Sequence, residues 1–218
     1  MRHCKILPLK MTGNQEKNFE QAIGLLEQIG LLLVRGTEIP DVCRIVTGQE
    51  FKGSWWSNPA AHQIFAVNER LADHPDVTLA KLVSGKVTFI HRTLWPQLFT
   101  LGTQRSDWQL SDLSTKAKQL LKTLDTKATL VSTDLGPKPG DAVRELELKL
   151  LVHTDQVHTD KGAHAKILET WEAWAKRVDF KPKRSNITRA QNFFEKRVDE
   201  INQQYGGRGR LPWQAKRS

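Results

Sequence analysis

Val77-Thr78-Leu79-Ala80-Lys81-Leu82-Val83, then Ser84-Gly85, then Lys86-Val87-Thr88-Phe89-Ile90, is the stretch that decides the fold class. Both flanks are rich in β-branched and apolar residues. A Ser-Gly link is short enough to join them only as an antiparallel hairpin. Helices are expected on both sides. Upstream, Asn58-Pro59 opens one that runs to about Ala72, with Asn58 as cap, Pro59 in the first position, and Ile64, Phe65, Asn68 and Leu71 inward. His74-Pro75-Asp76 ends it. Downstream, Leu94-Trp95-Pro96 opens a short helix to about Leu101.

Further upstream, Asn14 to Leu26 is amphipathic, with Phe19, Ala22, Ile23 and Leu26 on one stripe. Leu31-Leu32-Leu33-Val34 is either a buried strand or the end of that helix. Pro40 opens a shorter helix through about Val46.

The second half repeats this order of elements. Leu113 to Leu124 is a helix with Leu113, Ala117, Leu120, Leu121 and Leu124 on one face. Leu130 to Leu135 reads as an apolar helical turn. Pro137-Lys138-Pro139-Gly140 breaks the chain, and Asp141 caps a helix with Val143, Leu146 and Leu150 inward. A strand is expected over Leu150 to His158, a turn at Asp160-Lys161-Gly162, and a return strand over Ala163 to Leu168. Trp171, Trp174 and Val178 fit a closing helix. The expected fold is therefore α+β and mostly helical, built of winged-helix-like units in which helices precede a β-hairpin, two in tandem. The segments are 1–110, a helical unit with a hairpin; 111–180, a winged-helix-like unit; and 181–218, a basic helix with a flexible tail. The last helix carries the stripe Ile187, Ala190, Phe194, Val198 and Ile201.

The 218 residues are 39% apolar and 26% charged, a globular composition with enough length for a sizeable core. Two cysteines, Cys4 and Cys43, are too few for a disulfide scaffold and sit in no ligand cluster. Apolar runs are too short for a membrane span, and the first eight residues lack the apolar core of a secretion signal. The expectation is a cytoplasmic chain. Net charge is +9, and residues 181–218 carry +7 of it. A basic end attracts polyanions, nucleic acid first, DNA before RNA; no membrane partner is expected, and a protein partner is left open.

The candidate phosphate contacts follow from that charge. Lys81, Lys86, His91 and Arg92 surround the first hairpin. His153, His158 and Lys161 lie along the second, with His164 and Lys166 on its return strand. Arg144 and Lys149 belong to the helix before it, whose Asp141, Arg144, Glu145, Glu147 and Lys149 sum to −1, a poor balance for a helix entering the major groove. Arg184, Arg189, Arg208 and Arg210 belong to the C-terminal segment, the last two within Gly206-Gly207-Arg208-Gly209-Arg210. An ordinary solvated hairpin edge and a mobile terminus explain the same charges without a ligand.

Seven Trp against one Tyr is unusual. Trp55 and Trp56 are candidates for stacking on an exposed base, or for anchoring their loop to the core. His153, His158 and His164 match no metal-ligand spacing, so no metal and no cofactor are called for. No G-x-S-x-G, P-loop or G-x-G-x-x-G motif is present, which leaves catalysis unassigned.

Several stretches resemble a family of bacterial proteins of uncharacterised function. They are Gly53-Ser54-Trp55-Trp56, Asp73-His74-Pro75-Asp76-Val77, Lys81 to Arg92, Leu94-Trp95-Pro96, Arg144-Glu145-Leu146-Glu147, Leu150-Leu151-Val152-His153, Val157-His158-Thr159 and Gly162-Ala163-His164. Together they span roughly residues 20 to 180. The chain is also similar to the winged-helix DNA glycosylases that unhook alkylated bases and crosslinks. Those proteins carry a Gln-x-Gln or Gln-x-Asp near a wing. Gln156-Val157-His158 departs from that pattern, and Gln104-Arg105-Ser106-Asp107 has a different spacing, so no catalytic residue is carried over. The expected function is nucleic-acid binding of winged-helix type, mainly to the phosphate backbone. The alternatives are a glycosylase-like repair enzyme without a recognisable catalytic motif, and a protein-interaction scaffold.

Overall fold

The computed structural model describes residues 12–50, 54–135, 139–158, 164–183 and 185–214. In chain order the elements are α1 (Gly13–Ile29), β1 (Leu31–Leu33), α2 (Val42–Thr47), α3 (Ala61–Ala72), β2 (Val77–Val83), β3 (Lys86–His91), α4 (Trp95–Gln104), α5 (Asp107–Leu110), α6 (Thr115–Lys127), β4 (Thr129–Val131), α7 (Gly140–Leu148), β5 (His153–His158), β6 (His164–Glu169), α8 (Trp171–Arg177) and α9 (Ile187–Tyr205). Among the described residues the protein is α+β and mostly helical, with two small antiparallel sheets ordered β1-β3-β2 and β4-β6-β5.

The first hairpin forms as its sequence dictates. Thr78 pairs with Ile90 and Val83 with Lys86, and Ser84 and Gly85 turn the chain at φ 53° and 68°. Two positive φ values in succession give the turn whose twist suits a hairpin, and glycine takes one of them without cost. The ladder slips between Ala80 and Val83. Within the bulge the Val83 amide donates to the Thr88 hydroxyl (3.2 Å) in place of a ladder partner.

Leu31-Leu32-Leu33 is a strand, settling the open choice. Leu32 pairs with Phe89 and faces the apolar cluster of α1, α2 and α3; Leu31 and Leu33 face the central cluster. A strand buried on both faces is apolar at every position and so lacks the alternation that identifies strands.

Four expectations shift. The third helix starts at Ala61, because the Asn58 carboxamide accepts from the Ala60 amide (2.8 Å) and caps a turn ahead of it. Leu130 belongs to β4, paired with Leu168, and the turn follows at Ser132–Asp134. Asp141 lies inside the first turn of α7 rather than capping it, where its charge still suits the helix dipole. Leu150 adopts φ 55°, so the fifth strand begins at His153 and Leu150-Leu151-Val152 are a buried link.

The central cluster joins the chain's parts. It takes Ile90, Leu94, Trp95 and Leu98 from the first half, Leu150, Trp171 and Trp174 from the second, and Phe194, Val198 and Leu211 from the C-terminal segment. Two of its indoles are bonded: Trp95 donates to the Ile90 carbonyl (3.2 Å) and Trp171 to the Leu150 carbonyl (2.8 Å).

The expectation of a flexible tail is corrected through Gln214. Asn202 clamps Gly209 in both directions (2.8 and 3.0 Å), the Arg208 amide donates to the Glu38 carbonyl (2.9 Å), and Arg210 exchanges bonds with Ser84 (2.7 and 3.2 Å). Leu211 is buried, and the Trp213 indole donates to Glu195 (2.7 Å). A Cβ on Gly207 would overlap the Glu38 carbonyl oxygen. Gly207 thus permits close approach, and the segment 206–211 is a strap across the first hairpin's turn.

Candidate nucleic-acid interface

That strap brings some of the basic residues together. Arg208 and Arg210 are exposed on it, with their backbones on Glu38 and Ser84. Lys86 begins β3 and reaches Glu38 (2.6 Å). An open cleft of about 480 Å³ adjoins the turn, lined by Val34, Arg35, Ser54, Trp55, Gly85, Lys86 and Val87. Arg35, Arg208 and Arg210 make no ion pair among the described residues, and Glu38 answers only Lys86. The rim around the turn is therefore positive. Burial pushes the Glu38 carboxyl up. Hydrogen bonds from Lys86 and from the Glu38 and Thr37 backbone outweigh it and hold the pKa below its usual value.

Trp55 and Trp56 sit in a short 3₁₀ turn at Trp55–Ser57. Their rings stack at 4.0 Å and 24°, and Phe65 of α3 lies 5.7 Å from Trp56. Trp55 is half-buried and lines the cleft; Trp56 is 62% exposed.

Three of the candidate phosphate contacts, Lys81, Lys149 and His153, are engaged by partners inside the fold. Lys81 is only 19% exposed and pairs with Glu147 of α7 (2.5 Å), which also accepts from Lys166 (2.6 Å) and the Thr154 hydroxyl (2.7 Å). The bulged strand turns this lysine toward the second half. Lys149 donates to the Trp108 carbonyl (2.7 Å) and so ties α7 to α5. His153 is buried: Nε2 lies 3.0 Å from the Thr78 hydroxyl and Nδ1 2.9 Å from Glu169, which Arg177 also holds (2.5 Å). Trp174 stacks on its ring at 5.7 Å. In both networks burial raises the glutamate pKa, and hydrogen bonds, from Lys166, Lys81 and Thr154 to Glu147 and from His153 and Arg177 to Glu169, outweigh it, so the net shift is downward.

The other candidates are scattered. Arg92 lies at the far end of β3 from the turn, about 20 Å away at strand rise, and pairs with Asp76 (2.6 Å). His91 beside it bonds Thr93 (3.0 Å). Arg189 is exposed near the start of α9, about 24 Å of helix from its end. Arg144 is exposed and borders a second cleft of about 410 Å³, with Lys81, Ser132, Val143, Glu147 and Lys166. Lys161, Arg184 and the side chains of His158 and Gln156 lie outside the described residues. Among the described residues, no group of His, Cys, Asp and Glu is placed to hold a metal ion, and no helix is long and apolar enough to cross a membrane.

Sequence reasoning missed Arg35, Glu147, Glu169 and Arg177. Arg35 directly follows the apolar run of β1, a position that carries no motif. Glu147 and Glu169 meet their partners Lys81 and His153 only when separate elements pack, and the spacing of Glu169 to Arg177, eight positions across a strand–helix junction, is no recognisable motif.

Neither the curated proteins nor the solved structures contain a match to this sequence. A family model for AlkZ-related proteins matches residues 16–206, nearly the whole of the chain that carries the two sheets and α9, and the chain belongs to that AlkZ-related family.

Proposed function

We propose that the protein binds DNA in a repair setting, through the positive rim at the first hairpin's turn. One observation carries this reading: Arg35, Lys86, Arg208 and Arg210, distant in sequence, converge on one turn beside an open cleft. Family membership supports DNA as the polyanion, since the relationship is to crosslink-repair glycosylases. The first half runs helix, strand, two helices, hairpin, and the second runs helix, strand, a 3₁₀ turn, helix, hairpin, each with its first strand beside its last. That is the order of a winged helix, and we take each half as one such unit, the first presenting its wing turn to the phosphates. Glu145 accepts from the Ser114 hydroxyl (2.6 Å) and Glu147 is buried, so α7 serves packing rather than groove reading.

The test is fluorescence anisotropy on labelled duplex over a salt series. Four phosphate contacts predict a log–log slope of about −3 to −4. Binding that ignores salt contradicts the proposal.

A second reading, base excision, is favoured by the family relationship. The second cleft is its place, where ionised Glu147 lies between two ammonium groups. Release of an alkylated base, lost in Glu147→Gln under conditions where that variant remains folded, would support it. No release by the wild-type chain would dismiss it.

A further inference from the structure

The cleft beside the first turn offers an aromatic surface as well as charge. Trp55 lines it, and Trp56 backs Trp55 at 4.0 Å with Phe65 behind, so the ring is held in place by a row of three. Arg35 and Lys86 border the same space. A volume of about 480 Å³ is in the range of small-ligand sites, about 300–1,000 Å³. Intact duplex offers such a ring nothing to stack on, because its bases already stack on one another. An unpaired strand exposes a π-face at every base. We infer that this cleft is a site for one unpaired nucleotide of single-stranded DNA, its base on Trp55 and its phosphate between Arg35 and Lys86. The inference rests on the DNA-binding reading and narrows it to unpaired strand.

The site has a competitor built in. The Glu38 carboxylate occupies the Lys86 ammonium (2.6 Å) and is fixed by the Thr37 amide (3.0 Å), while its own carbonyl holds Arg208. An incoming phosphate must displace that carboxylate from Lys86. Removing its charge should therefore tighten binding, whereas a salt bridge needed only for stability would give no gain.

The experiment uses the full chain, with labelled oligothymidylate and a blunt duplex of equal length, read by anisotropy and tryptophan emission. Oligothymidylate should bind more tightly than duplex and quench emission. Trp55→Ala should weaken single-strand binding about tenfold and leave duplex binding within about twofold. Trp55→Phe, which keeps a ring and the fold, should fall between. Glu38→Gln should tighten single-strand binding severalfold. Equal affinity for both forms, unaffected by Trp55 substitution, would overturn the base site; if that binding were still salt-sensitive, the DNA reading would stand. Absence of salt-sensitive binding to either form would overturn both.

Discussion

The Lys81 ammonium lies 2.5 Å from one carboxylate oxygen of Glu147, and the Lys166 ammonium lies 2.6 Å from the other. Three elements meet there: β2 of the first half, and α7 and β6 of the second. The His153 ring does the same on β5, its Nε2 meeting the Thr78 hydroxyl of β2. The first hairpin thus uses Thr78 and Lys81 to hold the two halves together, while its turn borders the open cleft. A binding site at the turn is therefore coupled to how the halves pack.

Glu147→Gln should cost about 2–4 kcal/mol, because two ammonium groups would share a buried site with no anion. Urea denaturation at pH 7 measures it. The carboxyl pKa is lowered in the folded state, so its contribution is present above the ordinary value of 4.5 and lost as pH falls through the folded pKa. The gap between variant and wild type should be full at pH 7 and close in acid. Lys81→Met with Glu147→Leu should recover most of the loss, since it removes the two more buried charges and leaves the Lys166 ammonium, 37% exposed, to water.

Asp41 behaves in the opposite sense. Burial pushes its carboxyl up to about 6, despite amide donors including Arg44 and Cys43. Ionising it in the folded protein is harder than in the unfolded chain, so stability is lost as pH rises through that value. Asp41→Asn keeps the cap of α2 and removes the charge. It should melt with wild type near pH 4 and be more stable by about 1–3 kcal/mol above pH 6. Calorimetry across that range reads the difference.

Gly207→Ala should lift the strap off Glu38. Overlap with a backbone carbonyl cannot be relieved by a rotamer change, and a cost of about 1–3 kcal/mol lowers Tm by roughly 3–10 °C. Trypsin should cleave after Arg208 and Arg210 much faster than in wild type.

The hairpin 77–91 was legible because its turn chemistry and strand composition agree, and short-range agreement survives folding. The strap was misread for a physical reason. Glycines at 206, 207 and 209 look like freedom, yet Gly207 and Gly209 are there because Glu38, Ile39 and Val83 pack too close for a side chain. Leu211 and Trp213, apolar residues beyond the glycines, were the sequence signal of docking. Lys81 and Lys86 are chemically alike and five positions apart, and each pairs with a distant glutamate, but Lys81 is 19% exposed and Lys86 39%. Charge alone could not separate them. His153 was hidden similarly, since Thr78 and Glu169, which bond its ring, and Arg177, which holds Glu169, come from three elements.

The most direct test of the rim compares duplex binding by the wild-type chain, Arg35→Ala, Arg208→Ala with Arg210→Ala, and Arg189→Ala, each over a salt series. The strap is held by backbone bonds, so the alanine pair keeps it docked. The account predicts that each rim arginine removed weakens binding and reduces the salt slope by about 1, while Arg189→Ala, at the other end of α9, changes neither. A slope untouched by the rim substitutions, or reduced as much by Arg189→Ala, would contradict it.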